Sequence, residues 1–200
     1  MNEIRSNDTL PMLDRLDATH DQMRYWLGEL QTLVNHMEDR GWDIWARDHA
    51  RSVIDFFSHT ARQHHVDVDR QIFPLVSGRG DAAIDMSIDR LRQDQGWLEE
   101  NWREVLAQLQ PVAEGFGGYD VDMLRHAADV YAALLLEHLA LEQGSVFPAA
   151  RASADRQMKA SEVRRGGAEL SAAAWGRRGG PGSAGPAGEP TRPPAARSSS

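Results

Sequence analysis

The chain reads as all-α, an up-down-up-down four-helix bundle with a C-terminal tail. Three observations predict this. Apolar residues recur every three or four positions through four long stretches, the period of a helix buried on one face. Capping and breaking residues bracket each stretch, and the connections between them are short. Strand-like alternation of apolar and polar residues is absent.

Thr9 is the expected N-cap of the first helix, with Pro11 in its first turn and Gly41 as its stop. Its inward stripe is Leu13, Leu16, His20, Met23, Leu27, Leu30, Val34 and Met37. Asp43 caps the second helix, which Phe73-Pro74 to Gly78 closes. Its stripe is Ile54, Ser58, Ala61, His65, Asp69 and Ile72, with Phe57 and Val68 beside it. Asp81 caps the third helix and Pro111 ends it. Its stripe is Ile84, Ile88, Leu91, Gln95, Leu98, Trp102, Val105 and Leu109. Asp120 caps the fourth, which runs to about Pro148 or a little beyond. Its stripe is Leu124, Ala128, Tyr131, Leu135, His138, Glu142 and Ser145.

Composition bounds the rest. The 200 residues suffice for one domain of ordinary size. We divide them into an N-terminal extension (1–9), the bundle (10–150) and a tail (151–200). The tail holds eight of the seventeen glycines and five of the nine prolines, which leaves it too little apolar surface to offset its ordering entropy. It is expected to be helical near Arg151 to Arg164 and disordered after that. Its formal charge is +5, against -13 for residues 1–150. So acidic a domain repels phosphate backbones, which argues against nucleic acid as a partner. No run is long enough to span a bilayer, and MNEIRSNDTL lacks the apolar core of a signal peptide, so a cytoplasmic location is expected. With no cysteine, disulfides and thiolate chemistry are excluded, and any metal must be held by imidazole and oxygen.

The polar residues inside the stripes carry the functional reading. His20, His65, Asp69, Gln95, His138 and Glu142 fall near mid-height and should converge. Residues four apart share a helix face, so His65 with Asp69, and His138 with Glu142, each offer a nitrogen and an oxygen to one centre. A carboxylate in an apolar core is costly unless paired, and a second one nearby forces protonation. A cation removes both penalties. The halves of the chain are alike: His20 precedes the first His-x3-acid pair, and Gln95 precedes the second. Two similar half-sites suggest two metal ions, with position 95 the place where a further histidine is expected. Singly, each histidine is a satisfied core residue; their joint placement favours metal. Glu99, one turn from Gln95, is read as solvent-facing. His59 and His64 fall off the stripe and are read as outer neighbours or surface groups. His36, His49 and His126 are read as surface, and Phe57, Phe73, Trp97, Trp102 and Tyr131 as core.

Four stretches carry a family resemblance: LDATHDQM, the FF…HH…D…IFP run, RLRQDQGWLEENW and EHLALEQGSVFP. In this order they resemble the hemerythrin-like (HHE cation-binding) domains over about residues 10–150. The resemblance implies a non-haem di-iron centre with bridging carboxylates, about two irons per chain, and dioxygen or a related small oxidant as partner. It maps the ligands onto His20, His65, Asp69, His138 and Glu142. Asp69 stands where the family has Glu, and Gln95 where it has His. An amide oxygen is a weaker donor, so one iron is expected to be the weaker bound. Reversible binding or sensing, or iron handling, is the first reading. Turnover of peroxide or nitric oxide ranks second, because no separate acid–base or nucleophile set is present. A helical scaffold that has lost metal through Gln95 is the third.

Overall fold

The computed structural model describes residues 6–176, with side chains described for 9–166. All described regular structure is helical, and four helices pack as a bundle within residues 1–160. No described helix is long and apolar enough to cross a membrane. The expected disorder of the far tail falls largely on residues 177–200, outside the described residues.

The first helix spans Ser6–Arg40, so Thr9 is a buried residue inside it rather than its cap. Gly41 stops it at φ 74°, its N–H donating to the Met37 carbonyl. Asp43 accepts from the Ala46 N–H at 2.8 Å and starts the second helix, 44–76. Asp81 accepts from Ala83 and Ile84 and starts the third, Ala82–Glu114. Pro111 does not end this helix: the chain makes one more turn, and the Pro111 carbonyl accepts from both Gly115 and Phe116. Gly115, at φ 81°, closes it instead. Asp120 accepts from Met123 and starts the fourth helix, which begins at Val121. That helix passes Pro148 and continues to Gly176.

The first and third helices are α throughout; the second and fourth contain π-helical turns. Segments Val68–Ile72 and Glu142–Val146 are π, and each is followed at once by Phe-Pro. The cause is local. A proline inside a helix lacks the N–H for its i−4 carbonyl and crowds that carbonyl. Widening the preceding turn by one residue removes the clash. The Phe73 N–H accordingly reaches back five residues to Val68, and the Phe147 N–H to Glu142. The echo between the two Phe-Pro stretches is thus structural as well as chemical.

A third π segment, Phe56–Ala61, lies upstream in the second helix. With its turns unevenly wound, that helix buries Ala46, Ala50, Val53, Phe57, Ala61, His64, Val68 and Ile72. The expected stripe through Ile54, Ser58, His65 and Asp69 flanks this face and looks toward the third helix. Ser58 Oγ accepts from Trp102 Nε1 there, and Asp69 pairs with Arg92. Trp97 is half exposed rather than core.

The apolar interior is in two parts. One cluster includes Met23, Ala61, Leu98 and Leu139; the other includes Leu16, Val68, Leu91 and Val146. On every helix the last residue of one cluster and the first of the other are seven apart, two turns. What lies in that gap is polar: His20, His64 and His65, Gln95, and Glu142, with His138 just beside Leu139.

Gly115 is a stringent check on the turn geometry. An added Cβ would meet a left-handed backbone and Trp42 Cζ2 at 3.2 Å. Gly115→Ala should lower stability in urea by about 1–2 kcal/mol. Gly96→Ala, in open space on the third helix, should raise it by about 0.5–1 kcal/mol.

Candidate metal centre

Glu142 is fully buried and sits at the middle of the polar layer. Its Oε2 lies 2.8 Å from His20 Nε2 and 3.1 Å from His64 Nε2, and those two nitrogens are 3.0 Å apart. Its Oε1 lies 3.2 Å from His138 Nε2, off the hydrogen-bonding direction. The carboxylate therefore stands between two sets of imidazoles. His65 extends the second set, its ring 5.0 Å from that of His138. The π turn that begins at Glu142 belongs to this arrangement, as such turns often do at sites of function. Phe147, just beyond it, stacks on the His20 ring at 5.1 Å and 18° and limits its rotation.

The charge state follows from these contacts. Burial opposes ionisation of Glu142, but the imidazoles of His138, His20 and His64 outweigh it and hold the carboxyl well below its ordinary value. Burial lowers His20, and pushes His65 down to about 3 with help from His138. The layer thus offers an ionised carboxylate at Glu142 and imidazoles at His20 and His65 that favour the neutral form, the forms that bind a cation.

A fit test comes from the buried polar atoms. His20 Nδ1, His64 Nδ1, both nitrogens of His138, His65 Nε2, Gln95 Nε2 and Glu142 Oε1 lack hydrogen-bond partners. If the Nε2 atoms of His20 and His64 both donate to Glu142, their N–H groups confront each other at 3.0 Å, a repulsion that a cation in place of the two protons removes. Around a six-coordinate ion with bonds of about 2.1 Å, neighbouring donors stand about 3.0 Å apart. The His20–His64–Glu142 triangle has that size, and two imidazoles with one carboxylate is a donor set suited to non-haem iron.

The sequence expectations distribute as follows. His20, His138 and Glu142 meet directly, with His65 next to His138. Gln95 is partly buried in the same layer, with its amide nitrogen unpartnered. Asp69 does not join them: its carboxylate is half exposed and lies 3.1 Å from Arg92 Nε. The rotation of the second helix carries it toward solvent and brings in His64, which sequence reasoning had set aside. Val68, an apolar residue one helical turn after His64 and buried in the second apolar cluster, is the signal that the inward face runs one residue earlier. His36 and His49 are mostly buried and paired with Asp43 and Glu29, not free at the surface. His126 and His59 are exposed, and Glu99 pairs with Arg103 outside the site.

Fold and site together define a helical bundle with a cation-binding interior. Residues 11–150 match the family model "Hemerythrin HHE cation binding domain". The chain belongs to that family. It is 24% identical over 131 residues to an uncharacterized protein of Haemophilus influenzae, a match covering 66% of this chain and 74% of the relative. No solved structure matches it.

The low imidazole values set a pH dependence for metal-free protein. Unfolded histidine takes a proton near 6.5, whereas folded His20 and His65 take theirs at lower pH. Below about 6.5 the unfolded chain therefore binds more protons, and folding stability falls with falling pH. Glu142, held ionised in the fold, adds to the loss below its ordinary range near 4.5. Urea midpoints of the metal-free protein should decline steadily from pH 7.5 to 5; a flat profile would show these imidazoles are not sequestered.

Proposed function

We propose that the chain is a non-haem iron protein that binds or senses dioxygen or a related small oxidant. The observation that supports this is the His20–His64–Glu142 triangle, buried between two apolar layers and sized for one ion. His20 and His64 would hold a first iron through Nε2, with Glu142 Oε2 balancing its charge. His138 and His65, with Glu142 Oε1 and the Gln95 amide, would hold a second, so that Glu142 links the two. Iron bound there supplies reversible electron exchange and an open position for a small ligand.

The remaining residues act on access and charge. Phe147 fixes the His20 ring. Leu16, Met23, Val68 and Leu139 close the layer above and below and exclude bulk water, which strengthens every charge interaction inside. No described side chain outside the ligand set is placed as an acid or base against the centre, so binding is preferred to turnover.

Iron-supplemented protein should carry between about one and two irons per chain, the first more tightly held than the second. His64→Ala should remove the tighter iron, lowering affinity by about tenfold or more, while Asp69→Asn should leave both. Elemental analysis after gel filtration checks this; equal loss in the two variants would move the ligand set back to Asp69. Gln95→His should raise occupancy of the weaker position, read as iron per chain at fixed supply. Unchanged occupancy there, with the first iron retained, would place position 95 outside the site.

A further inference from the structure

A cavity of about 250 Å³ opens between the second and third helices, beside the polar layer. Its apolar wall is aromatic. Phe57, Trp102 and Tyr131 pack mutually with ring centres 5.1–5.4 Å apart, and Leu98 and Leu106 complete the surface. An apolar cavity of about 150 Å³ is enough for benzene, so this one has room for a single ring and a short substituent. The Trp102 indole N–H is already committed to Ser58, so this residue offers the space its ring face.

The rim is charged and unbalanced. Arg62, Arg103 and Glu99 line it. Glu99 and Arg103 approach to 3.7 Å and offset each other. The Arg62 side chain makes no hydrogen bond or ion pair with the described residues, which leaves its charge uncommitted at the mouth. His65 also lines the cavity, and its buried Nε2 has no hydrogen-bond partner. An apolar slot with an uncommitted guanidinium at its edge and the His65 ring in its wall forms a built ligand site.

We propose that this cavity binds a small monocyclic organic anion, a carboxylate on one aromatic ring. The ring lies against Phe57, Trp102 and Tyr131, and the carboxylate meets Arg62 at the rim. The occupant sits beside His65 and covers that side of the polar layer. The aromatic wall and the rim residues lie outside the proposed ligand set, and His65 is the one lining residue that the two sites share.

The test uses the full-length chain stripped of metal, so that direct coordination of a carboxylate is not in play. Benzoate and phenylacetate are titrated, with toluene as the uncharged probe, and the Trp102 indole N–H and the His65 ring are followed by NMR. Saturable shifts at both residues are expected. Leu106→Trp, which fills the slot from its partly exposed flank, should abolish them. Arg62→Ala should weaken the acids by about threefold and leave toluene unchanged, as an exposed ion pair allows. Absence of shifts, or shifts that persist in Leu106→Trp, overturns the site. Equal affinity for toluene and benzoate overturns the assignment of an anion. Should Leu106→Trp fail to fold, competition between toluene and phenylacetate at Trp102 in the unaltered chain decides the same point: independent binding overturns the proposal. Loss of iron binding in separate loading experiments would leave this result untouched.

Discussion

A single carboxylate, Glu142, organises the interior of this molecule. It is fully buried, it is ionised, and imidazoles from three helices approach its two oxygens. Removing a carboxylate from water costs several kcal/mol even after the surroundings relax. Histidine contacts recover part of that cost, but they leave ring nitrogens and one carboxylate oxygen unpartnered. A cation would take up the imidazole Nε2 atoms and the carboxylate oxygens that face one another in the layer. The two apolar clusters that lie on either side can then be seen as walls, each complete in itself, enclosing a polar layer that neither would tolerate alone.

The helices reach that layer by uneven winding. Proline at 74 and 148 widens the turn before it, and the second of these turns begins at Glu142. The π turn at Phe56–Ala61 lies one step upstream of His64 and His65. The paired histidines face different neighbours as a result. His64 turns into the triangle with His20 and Glu142, while His65 lies against His138 and the aromatic cavity. Adjacent residues on one helix thus serve the two sides of the same centre.

Much of this was legible in the residues. The first and third helices are α-helical throughout and the fourth as far as Leu141, so a uniform period of 3.6 placed His20, Leu98, His138 and Glu142 correctly. Asp43, Asp81 and Asp120 cap as expected because each precedes an apolar-periodic run and follows a glycine-containing turn or lies close to one. The second helix defeated the same method. From Ala61, a step of three reaches His64 and a step of four reaches His65; both steps are helical, and only packing selects between them. A π turn upstream shifts the phase by about one residue, which is the size of the error. Asp69 was carried outward by the same shift. Pro111 is absorbed a turn before the true helix end, and Pro148, at or just beyond which the fourth helix is expected to finish, is absorbed by a π turn and the helix runs on. Proline signals a disturbed ladder, and the surrounding sequence decides whether the helix stops.

The account therefore stands on a cation held where three helices converge. Crystals of the iron-loaded protein, measured on both sides of the iron absorption edge, would locate it directly. The account requires an anomalous peak equidistant, at coordination distance, from His20 Nε2, His64 Nε2 and Glu142 Oε2. A map with iron bound elsewhere, or with none in the polar layer while these side chains keep their places, would contradict it.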